Sequence, residues 1–230
     1  MNPIVWGGPF VEGNAWHYAW SVPHDIEGLI EAMSGADAMA SHLDNFLLAP
    51  SHFRQRTYDR IIHEMRELAR SHTGQYNHGN QPSHHALYLY NHVGQPWKTQ
   101  GLVRYIVDAL YEAAPDGLPG DEDTGSLSSW YVFSSLGLYP VCPGKPTYAL
   151  GAPRFERAML QLPGGRKLFI EGIGAARAEN VYVQSATLDG EPLLFPEVTH
   201  ADLIKGGTLR FEMGPRPNRD GYGGVGHIKR

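Results

Sequence analysis

The chain has 230 residues, a hydrophobic fraction of 42 % and a formal net charge of -5 at pH 7. That is enough apolar material for one large domain or parts of two, and the scattered lysines and arginines leave no basic field for nucleic acid. No apolar run approaches the roughly 20 residues that span a bilayer, and Cys142, the single cysteine, excludes an internal disulfide and a cysteine-rich zinc site.

In chain order, the opening Trp6-Gly7-Gly8-Pro9 reads as the middle of a motif, so sequence upstream of Met1 is expected to be missing, and with it any export signal. Helices are expected over Ile26–Ser34, with Asp25 as cap, and over Ala36–Leu48 and Tyr58–Arg70. Three more are expected over Ser83–Val93, with Pro82 in its first turn, Lys98–Ala113 and Ser126–Leu136. In the fifth, Leu102, Tyr105, Ile106, Ala109 and Leu110 recur at spacings of three and four, which predicts one buried stripe.

From Thr147 onward the period changes to that of strands: Arg157–Leu162, Lys167–Ile170 and Asn180–Ser185. Pro163-Gly164-Gly165, Asp189-Gly190 and Gly206-Gly207 mark turns, the second of them a hairpin between Ala186–Leu188 and Glu191–Leu193. Helices first and strands second predict an α+β chain, residues 1–140 helical and residues 141–230 built of antiparallel strands. The glycine-rich tail from Pro215 to Arg230 is expected to be loose.

Two acidic stretches stand out. Glu12 lies near Phe10, Trp16, Tyr18 and Trp20, and burial against such rings would keep a carboxyl protonated for general-acid work. The blander reading is a glutamate that caps or pairs at a helix start. Asp121, Glu122 and Asp123 crowd three carboxylates into a Gly/Pro loop, which is either a solvated turn or the second half of a site. Glycoside hydrolysis needs such a pair, one acid for the leaving oxygen and one carboxylate for the water or the sugar.

Ten of the twelve histidines precede residue 93, which invites a zinc reading. His63-Glu64 opens like a zincin helix, but position 67 is Glu where that motif needs His. His84 and His85 are adjacent and diverge by about 100° on a helix. Imidazoles and rings, among them Trp16, His84 and His85, suit sugar instead, donating to hydroxyls and packing on C–H faces. Asn80 and Gln81 supply amide oxygens that either cap a helix or, with Glu67 and Asp123, ligate a hard cation such as calcium.

The words Trp6-Gly7-Gly8-Pro9-Phe10-Val11-Glu12-Gly13-Asn14-Ala15-Trp16-His17-Tyr18, Ile62-His63-Glu64-Met65, Gly74-Gln75-Tyr76-Asn77-His78-Gly79-Asn80-Gln81-Pro82-Ser83-His84-His85, Gly94-Gln95-Pro96-Trp97 and Gly137-Leu138-Tyr139-Pro140-Val141 resemble those of glycoside hydrolase family 92. The likeness runs in order through essentially the whole chain. Family members are calcium-dependent, exo-acting, inverting α-mannosidases with an N-terminal β-sandwich ahead of an (α/α)6 toroid. The resemblance implies that this chain holds the later toroid helices and the closing strands of a larger enzyme that is periplasmic or secreted.

Carried over, it makes Glu12 the general acid and Asp123, supported by Asp121, the base that activates water, with the two carboxyl groups about 6.5–9.5 Å apart. His63 and Glu64 match the pair that contacts the leaving sugar in α-1,2-specific members. Glu67, Gln81 and Asp123 become the calcium ligands. Gln81 is a departure, since many members have Glu there, and its neutral amide brings one less charge to the ion. The implied substrate is a mannose-containing glycan. The alternative from another class is a catalytically incompetent remnant that still binds mannose.

Overall fold

The computed structural model describes residues 2–223. Its regular elements are, in chain order, β1 (Val5–Trp6), α1 (Ala15–Tyr18), α2 (Ile26–Ala32), α3 (Ala36–Leu48), β2 (Arg54–Gln55), α4 (His63–Ser71), α5 (Pro96–Ala109) and α6 (Ser126–Ser135). There follow β3 (Leu138–Tyr139), β4 (Thr147–Leu150), β5 (Arg157–Gln161), β6 (Lys167–Ile173), β7 (Tyr182–Leu188), β8 (Glu191–Pro192), β9 (Glu197–Thr199), α7 (His200–Leu203) and β10 (Gly207–Gly214). The chain is α+β, as its patterning predicts.

It divides into two compact units that interleave in sequence. One is drawn from the residues up to Ala86 together with Asp108–Ser129, the other from Leu87–Val107 together with the residues from Trp130 onward.

In the first unit, α3 buries Met39, Ala40, Leu43 and Phe46, a stripe at helical spacing. The Phe46 ring meets Trp16, Trp20 and Tyr76. Asp25 caps α2 by accepting from Gly28 N at 3.0 Å. The expected Tyr58–Arg70 helix begins only at His63, because Phe53, Tyr58 and Ile62 pack against Trp6, Met65 and Leu68 while the chain still runs out of the β1–β2 pair. Gln75, fully buried, ties the unit together: its Oε1 accepts from Asn14 Nδ2 at 3.0 Å and its amide donates to the carbonyls of Pro50 and His52.

The Ser83–Val93 helix does not form as an α-helix. Residues Gln81–Ser83 and Ala86–Asn91 are 3-10 turns instead. Every residue from Ser83 to Asn91 is buried, so contacts on all sides, not a one-sided apolar stripe, dictate the backbone. The stripe predicted on α5 is also displaced. Val103, Ile106 and Val107, with Thr99 and Gln100, are buried, whereas Tyr105 is exposed, because Gln100 Oε1 turns inward to accept from Val183 N at 3.0 Å.

The second unit holds a five-stranded sheet of order β5-β6-β10-β7-β8 and a three-stranded sheet of order β3-β4-β9. The Asp189-Gly190 hairpin forms, pairing Leu188 with Glu191. The central strand β10 pairs antiparallel with β7 but parallel with β6, so the expectation of antiparallel strands holds except at that pair. Leu168, Ile170, Val183, Ala186, Leu209, Phe211 and Met213 form the buried core. Of the tail expected to be loose, residues 224–230 lie outside the described residues. The part before them is tethered, since Asn218 donates to Gln184 O at 2.8 Å and Tyr222 is buried.

Candidate active site

All the residues singled out for chemistry fall in the first unit. Glu12 follows the β1 strand and precedes the cap of α1, Asn14, whose side chain accepts from the main chain of Trp16 and His17. It is not buried among the nearby rings as expected. Glu12 is exposed, because those rings pack on one another: Phe10 on Tyr18, and Trp16 and Trp20 on Phe46.

Glu12 is one of six non-glycine residues among those described, with Ser34, His72, Asp123, Thr124 and Asp189, whose φ is positive. Its φ of 50° lies in the left-handed region, where an L-residue with a side chain costs about 1–2 kcal/mol. Its N–H donates to the Tyr58 hydroxyl at 2.7 Å and its carbonyl accepts from Asn80 Nδ2 at 2.9 Å. Asn80 stands just before the 3-10 turn but makes no side-chain capping bond. The capping expected of it does not occur, and its amide nitrogen is committed to the Glu12 carbonyl.

The acidic loop repeats the backbone feature. Asp123 and Thr124 have φ of 45° and 61°. Glu122 is set apart from its neighbours: Oε1 accepts from Ser128 N at 3.1 Å and Oε2 from Ser128 Oγ at 2.8 Å, so it caps α6. Asp121 and Asp123 remain exposed. The loop is held against the His78–Asn80 segment by glycine. A Cβ on Gly120 would collide with the main chain of Gly79, and one on Gly79 would lie 2.8 Å from Pro119 O and 2.5 Å from Glu67 Oε2. Below it, the buried Tyr76 hydroxyl lies 2.6 Å from His78 Nδ1, and His78 Nε2 lies 2.8 Å from the hydroxyl of Tyr111. Tyr111 in turn donates to Leu127 O at 3.2 Å, so both ends of the acidic loop are pinned.

On α4, Glu64, Met65, Leu68 and Ser71 form the buried face. His63, half-exposed, gathers the carboxylates: Nδ1 is 2.9 Å from Glu67 Oε1, and Nε2 is 3.2 Å from Glu64 Oε1 and 3.7 Å from Asp121 Oδ2. The bond to Glu67 raises the His63 pKa above its usual value, with the charges of Glu64, Glu67 and Asp121 adding to it. Burial raises the pKa of both Glu64 and Glu67, and the negative charge of Glu12 adds to the effect on Glu64. Glu12, Glu64 and Asp121 therefore share one local field.

His84 and His85, expected at the sugar, are buried. Nε2 of His84 lies 3.0 Å from His78 O, and Nε2 of His85 lies 2.6 Å from Trp20 O. Burial lowers the pKa of both, that of His84 to about 4. Trp16 is half-buried, stacked on Phe46 at 6.4 Å between ring centroids. Gln81 Nε2 donates to Asp121 O at 3.2 Å.

Glu67, Gln81 and Asp123, the ligands that the resemblance implies, all carry oxygen donors, the chemistry that calcium takes. Glu67 Oε2 is buried without a hydrogen-bond donor, in space that a side chain on Gly79 would fill, and so fits a cation ligand. Among the described residues no three His, Cys, Asp or Glu side chains are grouped so as to hold a metal by themselves.

Residues 1–215 match the model of the glycosyl hydrolase family 92 catalytic domain. The chain belongs to glycosyl hydrolase family 92. A family GH92 inverting mannosidase from Bacteroides thetaiotaomicron is 43 % identical, with a TM-score of 0.83 over the whole of this chain and 31 % of its own. A family GH92 α-mannosidase from the same organism is 30 % identical, with a TM-score of 0.85 over the whole of this chain and 28 % of its own. A protein of Arthroderma benhamiae described as an uncharacterized secreted glycosidase is 27 % identical over 214 residues, 92 % of this chain and 24 % of that protein. The chain thus spans less than a third of the length of these relatives. Among the described residues no helix is long and apolar enough to cross a membrane.

Tyr58 is the residue of this site that the sequence analysis does not anticipate. It stands in a stretch that reads as the start of a helix, and nothing local marks its hydroxyl as an acceptor for a main-chain N–H 46 residues away.

Proposed function

We propose that this chain supplies the catalytic carboxylates of a periplasmic or secreted, exo-acting, inverting α-mannosidase that removes terminal α-1,2-linked mannose from glycans. Glu12 gives its proton to the glycosidic oxygen as the bond to the anomeric carbon breaks, and the leaving sugar departs with that proton. Asp123, supported by Asp121, takes a proton from the water that attacks the opposite face of the ring, so the configuration inverts. The observation that carries this reading is that Glu12 and Asp123, the two carboxylates it needs, both stand on left-handed main chain. Such backbone cost is typically retained where function requires it.

His63 and Glu64 are assigned to the leaving sugar, which is the basis of the α-1,2 preference, and Trp16 to the sugar's apolar face. His84 and His85 act from behind by holding the carbonyls of His78 and Trp20. Glu67, Gln81 and Asp123 would hold calcium, which when bound supplies a positive charge for sugar hydroxyls. The sequence of the relatives that this chain does not span would supply the remaining walls of the site.

The test is Glu12→Gln in the full-length gene product, assayed on α-1,2-mannobiose and on α-mannosyl fluoride. Removing a general acid costs on the order of 10²–10⁴ in rate, but only where the leaving group needs its proton. Loss on mannobiose with much of the fluoride activity kept is expected. Equal losses on both would take Glu12 out of the acid role, and mannose binding without any turnover by the unmutated protein would favour a binding remnant.

A further inference from the structure

Glu12 is held from both sides by residues distant in sequence, and neither bond touches its carboxylate. The Tyr58 hydroxyl takes the N–H at 2.7 Å and the Asn80 amide gives to the carbonyl at 2.9 Å, 46 and 68 residues away. Between those two bonds lies the one torsion, φ of 50°, that a non-glycine residue adopts reluctantly. An unheld Glu12 would relax toward negative φ, and its Cα–Cβ bond would then swing to a different direction.

The surroundings limit how else the turn could be held. Gly7 N donates to Gly13 O at 3.2 Å, closing the loop that contains Glu12. Gly8 N donates to Thr57 Oγ1 at 3.1 Å, next to Tyr58 in the chain, and a Cβ on Gly7 would overlap that same Thr57 hydroxyl. Residues 57 and 58 thus form a ledge on which the Gly7–Glu12 loop rests. That ledge is placed by the parallel pairing of β1 with β2, Val5 opposite Arg54 and Trp6 opposite Gln55.

We propose that Tyr58 and Asn80 are positioning residues for the general acid, fixing the left-handed backbone that aims the Glu12 carboxyl at the glycosidic oxygen. The proposal rests on the reading of Glu12 as the acid. A carboxyl displaced by about 1 Å can cost on the order of a hundredfold in rate, and the loss should follow the demand of the leaving group for a proton.

The experiment compares the unmutated full-length gene product with Tyr58→Phe, Asn80→Ala and Glu12→Gln, on α-1,2-mannobiose and α-mannosyl fluoride, with a melting temperature for each. Tyr58→Phe keeps the ring that packs beside Trp6, Met65 and Leu68 and deletes only the hydroxyl. The expected result is a loss in kcat on mannobiose of about ten- to a hundredfold, fluoride hydrolysis within about threefold, and an unchanged KM. Asn80→Ala should show the same leaving-group dependence.

If Glu12→Gln is leaving-group selective while Tyr58→Phe and Asn80→Ala lose equally on both substrates, or lose nothing, the positioning role is overturned and the acid assignment stands. If Glu12→Gln itself is unselective, the acid assignment falls and the positioning role falls with it. A lower melting temperature with equal losses would mark the two residues as structural only.

Discussion

His63 Nε2 lies 3.2 Å from Glu64 Oε1, so two residues adjacent in the chain present an acid–base pair within ion-pair distance at the start of α4. Glu64 belongs to the helix's buried face and His63 to its half-exposed edge, where the bond from Nδ1 to Glu67 Oε1 at 2.9 Å orients an imidazole that still reaches solvent. If that pair grips the leaving sugar, its removal should be felt only where a second sugar is present. His63→Ala is expected to raise KM for α-1,2-mannobiose about tenfold and leave kcat/KM for an aryl α-mannoside within about threefold. Steady-state kinetics on both substrates, with α-1,3- and α-1,6-mannobiose as further comparisons, decide it. Equal losses on the aryl substrate would move His63 out of the leaving-sugar contact.

The acidic loop separates two kinds of carboxylate that its sequence cannot tell apart. Glu122 accepts from Ser128 N and Ser128 Oγ, whereas Asp123 stands exposed with a φ of 45°. Glu122→Gln should therefore cost about 1 kcal/mol of stability, as the loss of a cap does, with turnover nearly kept. Asp123→Asn should leave stability nearly unchanged and lower kcat by on the order of 10²–10⁴. Thermal melts beside single-substrate kinetics test both arms. A crossed result, with Glu122 carrying the activity, would reassign the base.

Much of this arrangement is legible in the sequence where a local rule governs. Ala36–Leu48 is a helix because its apolar positions repeat at helical spacing, and Asp189-Gly190 is a hairpin because it is the favoured pair for such a turn. The reading fails where partners come from afar. Ser83–Val93 is buried on every side, so helical patterning says little about its backbone, and Gln100 turns inward for a strand residue 83 positions later. Strand β10 does alternate, Leu209, Phe211 and Met213 facing the core, but its central place and parallel pairing with β6 are properties of the whole sheet. The two acidic stretches mark Glu12 and Asp123 as candidates. They do not reveal that both stand on left-handed backbone, because that conformation is held, at Glu12, by contacts with distant residues.

Burial makes the fold sensitive to acid. His17 and His84 are buried and have their pKa lowered to about 4 by desolvation, while in the unfolded chain each returns to about 6.5. Between those values the unfolded state binds protons that the folded state does not, so stability is lost as pH falls from about 6.5 toward 4 and is complete above that window. His78 and His85 are shifted the same way. Glu64, Glu67 and His63 act oppositely, since their raised pKa means that the folded state holds protons more tightly, and the part of stability due to His63 is lost as pH rises above about 6.5. His17 and His84 should each contribute a loss on the order of 1–2 kcal/mol by about pH 5. Urea midpoints measured from pH 8 downward should fall as pH drops from about 6.5 toward 4, and a plateau reaching pH 5 would contradict the neutral-histidine assignment.

Calcium can be tested apart from turnover. Glu67 Oε2 is buried without a donor, and one less negative charge is available at Gln81 than a glutamate would bring. More carboxylate charge generally tightens a calcium site. Titration calorimetry with calcium on chelator-treated protein should therefore detect binding that weakens by about tenfold or more in Glu67→Gln. Gln81→Glu should tighten it. The melting temperature should rise with calcium by mass action, in the same order across the three proteins. Binding unaltered by either substitution would place the ion elsewhere, and stabilisation by zinc in preference to calcium would instead support the histidine-rich reading of this half of the chain.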